Sequence, residues 1–236
     1  MQQIDYPETS THIIYDPQVH EGNPGELFDR EQIIGSTSVQ GPHASVVFVS
    51  GDPHEYAWKR YRRRGLMAHV CRQHYAWRRL CATRMWKEFA ILSRLWAMGL
   101  PVPRPVAARC CYRKPLLYTG DLLTLRLEGA VNLRELLQQD ILEPRIWVEV
   151  GRMIGLLHHR SVRHGDLNAT NILVRPGGSV HLVDFDKTTF QKGPAIWKRH
   201  NLNRLHASLN KLAGRCEPFY FEEADWLRVL EGYALA

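Results

Sequence analysis

Apolar positions change their spacing near the middle of the chain. In the first half they fall in short runs or alternate with polar residues. His12-Ile13-Ile14-Tyr15, Val46-Val47-Phe48-Val49 and Glu55-Tyr56-Ala57-Trp58-Lys59-Arg60-Tyr61 read as strands. Residues 35–41, a small-residue stretch from Gly35 to Gly41, read as a loop between two of them. Over 84–98, Trp86, Phe89, Ala90, Leu92 and Leu95 recur at helical spacing, and Gly99 with Pro101 ends the helix. Pro101, Pro103 and Pro105 mark an extended connection, and 116–127 reads as strands around a Gly120-Asp121 turn.

The second half is richer in helical periods. Asn132 is placed to cap a helix over 132–139. Ile146, Val150, Met153, Ile154 and Leu157 form one apolar face over 146–159. His158 and His159 close that helix, where imidazoles suit the last carbonyls better than a metal. A polar loop follows at 164–170. Strands at 172–174 and 180–185 flank the turn Pro176-Gly177-Gly178 and predict a hairpin. Residues 197–212 and 222–234 read as closing helices. The fold class is therefore α+β, with a strand-rich N-terminal lobe over 1–127 and a helical C-terminal lobe over 128–236. Apart from the strand at 12–15, residues 1–34 receive no assignment.

Composition narrows the partners. The chain has 236 residues, 44% hydrophobic and 23% charged, which suits a globular protein with a real core. Its net charge of +7 favours phosphate-bearing partners. From Lys59 to Lys87 there are ten Lys or Arg residues and no Asp or Glu. Five scattered cysteines form no C-x-x-C pair, so a reducing cytosol fits better than a disulfide framework. The N-terminal MQQIDYPETS does not resemble a signal peptide, and no apolar run approaches the ~20 residues of a membrane span. Membrane contact is expected to be peripheral.

The strongest chemical signal is His164-Gly165-Asp166-Leu167-Asn168-Ala169-Thr170-Asn171, followed by the hairpin and by Val183-Asp184-Phe185-Asp186. Phosphoryl transfer needs an aimed hydroxyl, an acceptor for its proton and neutralisation of developing charge, chiefly by magnesium. Magnesium takes hard oxygen ligands, carboxylate and side-chain amide among them. A loop with Asp166 and Asn171, beside a strand ending in Asp184, can supply a base and two such ligands. Upstream, strand alternation puts Ala57 and Lys59 on one face. Lys59 needs an anionic partner, and Glu88 is the first acidic residue after Glu55. Arg60 or Arg62 takes the lysine's place if the strand register slips.

His-Gly-Asp-x-x-x-x-Asn followed by an apolar hairpin and Asp-Phe-Asp resembles the catalytic and metal loops of protein-kinase-like enzymes. The resemblance implies a two-lobed protein-kinase-like fold, ATP and Mg2+ as cofactors, Asp166 as base, and Asn171 and Asp184 as metal ligands, with His164 bracing the loop. It further implies Lys59 on the α/β-phosphates, paired to Glu88, and Ala57 against adenine. Glu128-Gly129 sits where a hinge would meet adenine, and Leu173 and Val183 either floor that pocket or belong to the core. Gly35 to Gly41 serves as a phosphate-covering loop or as a plain turn, since it lacks G-x-G-x-x-G. Asp186 replaces the glycine of Asp-Phe-Gly, Asn168 stands where a catalytic-loop lysine is usual, and only 50 residues follow Asp186. That tail is short for a peptide-docking lobe, so no protein substrate is expected.

Lys59-Arg60-Tyr61-Arg62-Arg63-Arg64-Gly65-Leu66, Gly99-Leu100-Pro101-Val102-Pro103-Arg104-Pro105-Val106 and His164-Gly165-Asp166-Leu167-Asn168 are similar to segments of 3-deoxy-D-manno-octulosonic acid (Kdo) kinases, over about 35–212. That likeness implies ATP-dependent phosphorylation of the Kdo 4-hydroxyl on a Kdo-lipid A type acceptor, at the anionic cytoplasmic face of the bacterial inner membrane. Arg62, Arg63, Arg64, Asn168 and Asp186 are then candidate substrate residues. Trp58, Tyr61, Tyr75 and Trp77 either suit an interface among these cations or pack between the lobes. No nucleic-acid partner is expected. Two other readings stay open: another small-molecule, heptose or atypical kinase of the same fold, and a nucleotide-binding pseudokinase with a basic membrane- or RNA-binding face.

Overall fold

The computed structural model describes residues 1–29, 38–40, 44–51, 54–61, 75–76, 79–113 and 117–236. These form two compact units, Met1–Arg94 with Arg104–Arg126, and Leu95–Pro103 with Leu127–Ala236.

The first unit is built on strands β1 (Gln2–Tyr6), β2 (Thr11–Tyr15), β3 (Ser38–Gln40), β4 (Ala44–Ser50), β5 (Glu55–Tyr61), β6 (Tyr75–Ala76), β7 (Pro105–Arg113) and β8 (Leu117–Leu125). They join one antiparallel sheet in the order β1-β2-β7-β8-β5-β4-β3, with β6 also on β8. Alternation along β5 buries Tyr56 and Trp58 on one face, against Ile13, Phe28, Val106 and Leu123. Phe28 meets the Trp58 ring edge-on at 5.9 Å between centroids. Lys59 alternates to the opposite face.

Two parts of this sheet differ from the sequence expectation. Gly120-Asp121 is no turn but the middle of the unbroken β8. A Cβ at Gly120 would lie 1.9 Å from the Met85 methyl, so the glycine marks a close approach rather than a bend. Asp121 is held across the ladder by Arg109 at 2.7 Å. Strand β7 carried no signal because its buried residues include the small Ala107, Ala108 and Cys110.

Helix α1 (Arg84–Ala97) buries Met85, Trp86, Phe89, Leu92 and Leu95. Ala90 lies outside that stripe and is exposed, against expectation.

The second unit holds β9 (Val131–Asn132), α2 (Leu133–Gln139), α3 (Pro144–His159), β10 (Val162–Arg163), β11 (Ile172–Val174), β12 (Val180–Leu182), β13 (Thr189–Phe190), α4 (Ile196–Ala213) and α5 (Glu223–Ala234). Asn132 caps α2 as expected, its Oδ1 accepting from the Glu135 N–H at 3.0 Å. Strands β11 and β12 form the expected hairpin, and β9 pairs with the other edge of β11. The second strand is shorter than its apolar run, ending at Leu182 instead of 185. Helix α3 turns Trp147 inward, and Ile146 is only partly buried.

Helices α3 and α5 pack almost backbone to backbone. A Cβ at Gly151 would lie 2.0 Å from the Val229 carbonyl oxygen, and one at Gly232 only 1.9 Å from that of Val148. Two glycines on facing surfaces thus set the separation of the helices. Gly151→Val should destabilise the chain by roughly 1–3 kcal/mol or more, because backbone must move to admit the side chain. Gly214→Ala, where the nearest atom would be 3.6 Å away, should stay within about 0.5 kcal/mol. Urea unfolding of both variants checks this; equal midpoints would show that the helix crossing tolerates side chains.

Candidate active site

In the first unit, β5 carries Lys59 and α1 carries Glu88. The Lys59 ammonium donates to both Glu88 carboxylate oxygens at 2.8 Å. The Tyr61 hydroxyl also donates to Glu88 and lies below the same ammonium in a cation–π contact of 5.1 Å. Glu88 is 2% exposed, so its charge depends on these donors. The alternation of β5 brings Lys59 and Tyr61 to one face and decides between Lys59 and Arg60. Arg60 lies on the other face, stacked over Trp58 at 4.3 Å and drawn to Asp121 at 3.9 Å. Ala57, on the Lys59 side, is half-buried. Trp58 and Tyr61 are core residues, which removes them from the expected interface. Gly35, Gly41, Arg62, Arg63, Arg64 and Trp77, with the side chain of Tyr75, lie outside the described residues.

In the second unit, the polar loop is fixed by its own asparagines. Asn168 caps the short turn Ala169–Asn171, accepting from the Thr170 N–H at 2.9 Å and from its hydroxyl at 2.6 Å. Its amide also donates to the Asp166 carbonyl at 3.0 Å. Asn168 therefore works within the loop. Asn171 Nδ2 donates to the same carbonyl at 2.8 Å, which turns its Oδ1 the other way. The Val183 N–H donates to the Asn171 carbonyl at 3.0 Å, so Asn171 and Asp184 stand at neighbouring backbone positions. Asp184 sits just past β12 with φ +66°, a left-handed conformation that carboxylate residues tolerate better than branched ones. Leu173 alternates away from the buried Ile172 and Val174 and is only half-buried, as is Val183. Glu128 is exposed, in a turn whose next residue, Gly129, has φ +66°. Asp186 is half-buried after the fully buried Phe185.

His164 joins these pieces. Its Nδ1 accepts from the Asp166 N–H at 3.2 Å, and its Nε2 lies 3.0 Å from the Val183 carbonyl. The tautomer protonated on Nε2 satisfies both bonds. The ring packs edge-on against Phe185 at 4.9 Å. Next to it, Gly165 is obligatory, since a Cβ there would lie 2.3 Å from the Lys187 carbonyl oxygen.

Behind His164 lies a buried network that the motifs did not reveal. Asn201 on α4 donates to the His164 carbonyl at 2.9 Å and accepts from its N–H at 3.2 Å. Its Oδ1 also faces His158 Nε2 at 3.1 Å, and His158 Nδ1 meets the Tyr233 hydroxyl at 3.0 Å. His158 thus has a structural partnership in place of the expected helix-end role. Its imidazole is pushed down to about 4 by burial, with Lys198 and His159 adding repulsion and the Asn201 hydrogen bond opposing them. One signal could have exposed Asn201: it is a polar residue on the helical face that holds Leu202, Leu205 and Leu209. Arg204 on α4 also forms an ion pair with the Asp166 carboxylate.

An ammonium paired to a buried carboxylate in the first unit, and a braced loop presenting Asp, Asn and a second Asp in the second, are the parts that a kinase-like phosphotransferase needs. Comparison with known proteins agrees. A model of the Lipopolysaccharide kinase (Kdo/WaaP) family matches residues 29–233. A 3-deoxy-D-manno-octulosonic acid kinase of Photobacterium profundum is 38% identical over 229 residues, 94% of each chain. The protein of the same name from Haemophilus influenzae is 36% identical over 208 residues, 86% of each chain. That of Pasteurella multocida is 42% identical over 182 residues, 75% of this chain and 74% of its own. A solved structure described as WaaP in complex with acyl carrier protein matches in fold, with a TM-score of 0.57 and 19% identity over all of this chain and 90% of that one. The chain belongs to the lipopolysaccharide kinase (Kdo/WaaP) family and is a phosphotransferase acting on a hydroxyl group. The family implies ATP as its substrate.

The His158 position makes stability depend on pH. Its folded value is depressed from the usual 6.5, so the unfolded chain takes up the proton first as pH falls. The stabilisation is complete above about pH 6.5 and is lost on descent toward about 4. Urea unfolding at pH 4.5 should show a loss on the order of 2 kcal/mol relative to pH 7 from this group. In His158→Gln that slope should flatten; an unchanged slope would assign it to other groups.

Proposed function

We propose that the chain is an ATP-dependent Kdo kinase, transferring the γ-phosphoryl group of ATP to the 4-hydroxyl of Kdo on a Kdo-lipid A type acceptor. The acceptor reading is carried by the relatives of that name, which the chain matches along most of their length. The family and the absence of an acidic residue between Lys59 and Lys87 suit an anionic, phosphate-bearing lipid. Among the described residues no helix is long and apolar enough to cross a membrane. We place the work at the cytoplasmic face of the inner membrane, by peripheral contact.

The roles follow from chemistry. Asp166 accepts the proton of the sugar hydroxyl. The oxygen so freed attacks the γ-phosphorus, the bond from that phosphorus to the β–γ bridging oxygen breaks, and ADP carries away the electron pair. Lys59, held by Glu88, neutralises the α/β-phosphates, and Ala57, Leu173 and Glu128 border the adenine. Asn171 Oδ1 and the Asp184 carboxylate would hold magnesium. The amide is turned outward by its own Nδ2 bond, and two hard oxygens fit an ion that keeps waters and shares substrate phosphate. When bound, that ion neutralises charge developing on the phosphate oxygens. Among the described residues no three His, Cys, Asp or Glu side chains gather, a demand magnesium does not make. Residues 1–127 would then anchor the nucleotide phosphates, and 128–236 would carry the base and metal ligands.

Incubation with Mg-ATP and Kdo-lipid A should add one phosphate to the sugar, read by mass spectrometry. Asp166→Asn should retain its circular dichroism spectrum and lose roughly 10²- to 10⁴-fold in kcat. Full turnover in that variant would remove Asp166 as base, and phosphorylation of a heptose acceptor with none of Kdo would remove the acceptor.

A further inference from the structure

We propose that Arg204 is a specificity-determining residue, recognising a carboxylate carried by the acceptor close to the hydroxyl that Asp166 deprotonates. The proposal rests on the reading given under Proposed function and deepens it by naming a feature of the acceptor that the site reads.

The position of Arg204 is set by anchors on either side. Along α4, Asn201 binds His164, Arg204 binds Asp166, and Ser208 accepts from the Ala169 N–H at 3.5 Å. Steps of three and four residues keep all three on one helical face. The helix and the loop advance together, so the backbone at Arg204 stays beside Asp166 as long as the buried Asn201 bonds hold. Yet Arg204 itself is open: its side chain is 55% exposed, whereas that of Asp166 is 24% exposed.

The guanidinium carries five N–H donors, and one of them, on Nη2, meets Asp166 Oδ1. The structural pairs of the first unit commit two donors each, Arg109 to Asp121 and Arg104 to Asp16. Here the contact with a single oxygen leaves Asp166 Oδ2 for a hydroxyl and the rest of the fork for a second anion. A substrate whose hydroxyl docks on Oδ2 brings its neighbouring substituents against those donors. Kdo bears a carboxylate on the same ring as its 4-hydroxyl, and a guanidinium fork matches a carboxylate in shape and charge. A plain hexose or heptose offers only hydroxyls there. Asn168 itself offers no charge, and its side chain is occupied by Thr170 and the Asp166 carbonyl. Among the described residues, the cation paired with Asp166 comes from α4.

The test pairs an enzyme change with a substrate change. Wild type and Arg204→Gln are assayed on Kdo-lipid A and on the same acceptor with its sugar carboxylate reduced to an alcohol. Wild type should prefer the carboxylated acceptor by roughly 10- to 100-fold in kcat/KM. Arg204→Gln should lose that preference, mainly through acceptor KM, with the KM for ATP unchanged. Arg204→Lys, which keeps charge without the fork, should fall between. If Arg204→Gln discriminates as wild type does, or loses kcat equally on both acceptors, the residue merely steadies Asp166 and the assignment is overturned. If wild type phosphorylates neither acceptor, the Kdo reading itself fails and takes this assignment with it. The two failures are therefore distinct.

Discussion

The bond from the buried His164 imidazole to the Val183 carbonyl is the constraint on which the second unit's chemistry turns. It joins the loop of Asp166 to the strand that leads into Asp184. Because the other ring nitrogen accepts from the Asp166 N–H, one ring fixes both Asp166 and the approach to Asp184. An imidazole can do this in a single tautomer, donating at one nitrogen and accepting at the other. The packing of Phe185 against the ring excludes water from the joint.

A comparable economy governs the first unit. Glu88 is buried with Lys59 and Tyr61, and the ladder positions of β5 bring those two side chains to it from one face of the strand. Breaking a buried pair on one side leaves an uncompensated charge, so each member depends on the others. In both units a short polar motif works because larger apolar elements hold its backbone still: Phe28, Trp58 and Leu123 under β5, and Leu157, Ile172 and Leu182 around the loop.

Much of this was readable in the chain. The exact span of β5, the Asn132 cap and the hairpin after Asn171 all followed from local rules, because each is decided within a few residues. The Lys59–Glu88 pair was also legible, since a long cationic stretch left one acidic candidate. What escaped was decided at a distance. Gly120 looks like a turn until Met85 arrives, and β7 is too rich in small residues to announce a strand. Asn201 and Arg204 escaped for the same reason. Their partners lie 37 and 38 residues earlier, and nothing in a helix records which loop it will face.

The matched advance of α4 and the loop also limits how relatives of this chain can change. An α-helix turns about 100° per residue, so deleting a single residue between Asn201 and Ser208 would swing one grip to the far side of the helix. Insertions before Ile196 carry no such penalty, because the helix would keep its phase. Length variation should therefore collect in 191–195, while the interval 201–208 stays constant in number even where its outward residues are exchanged.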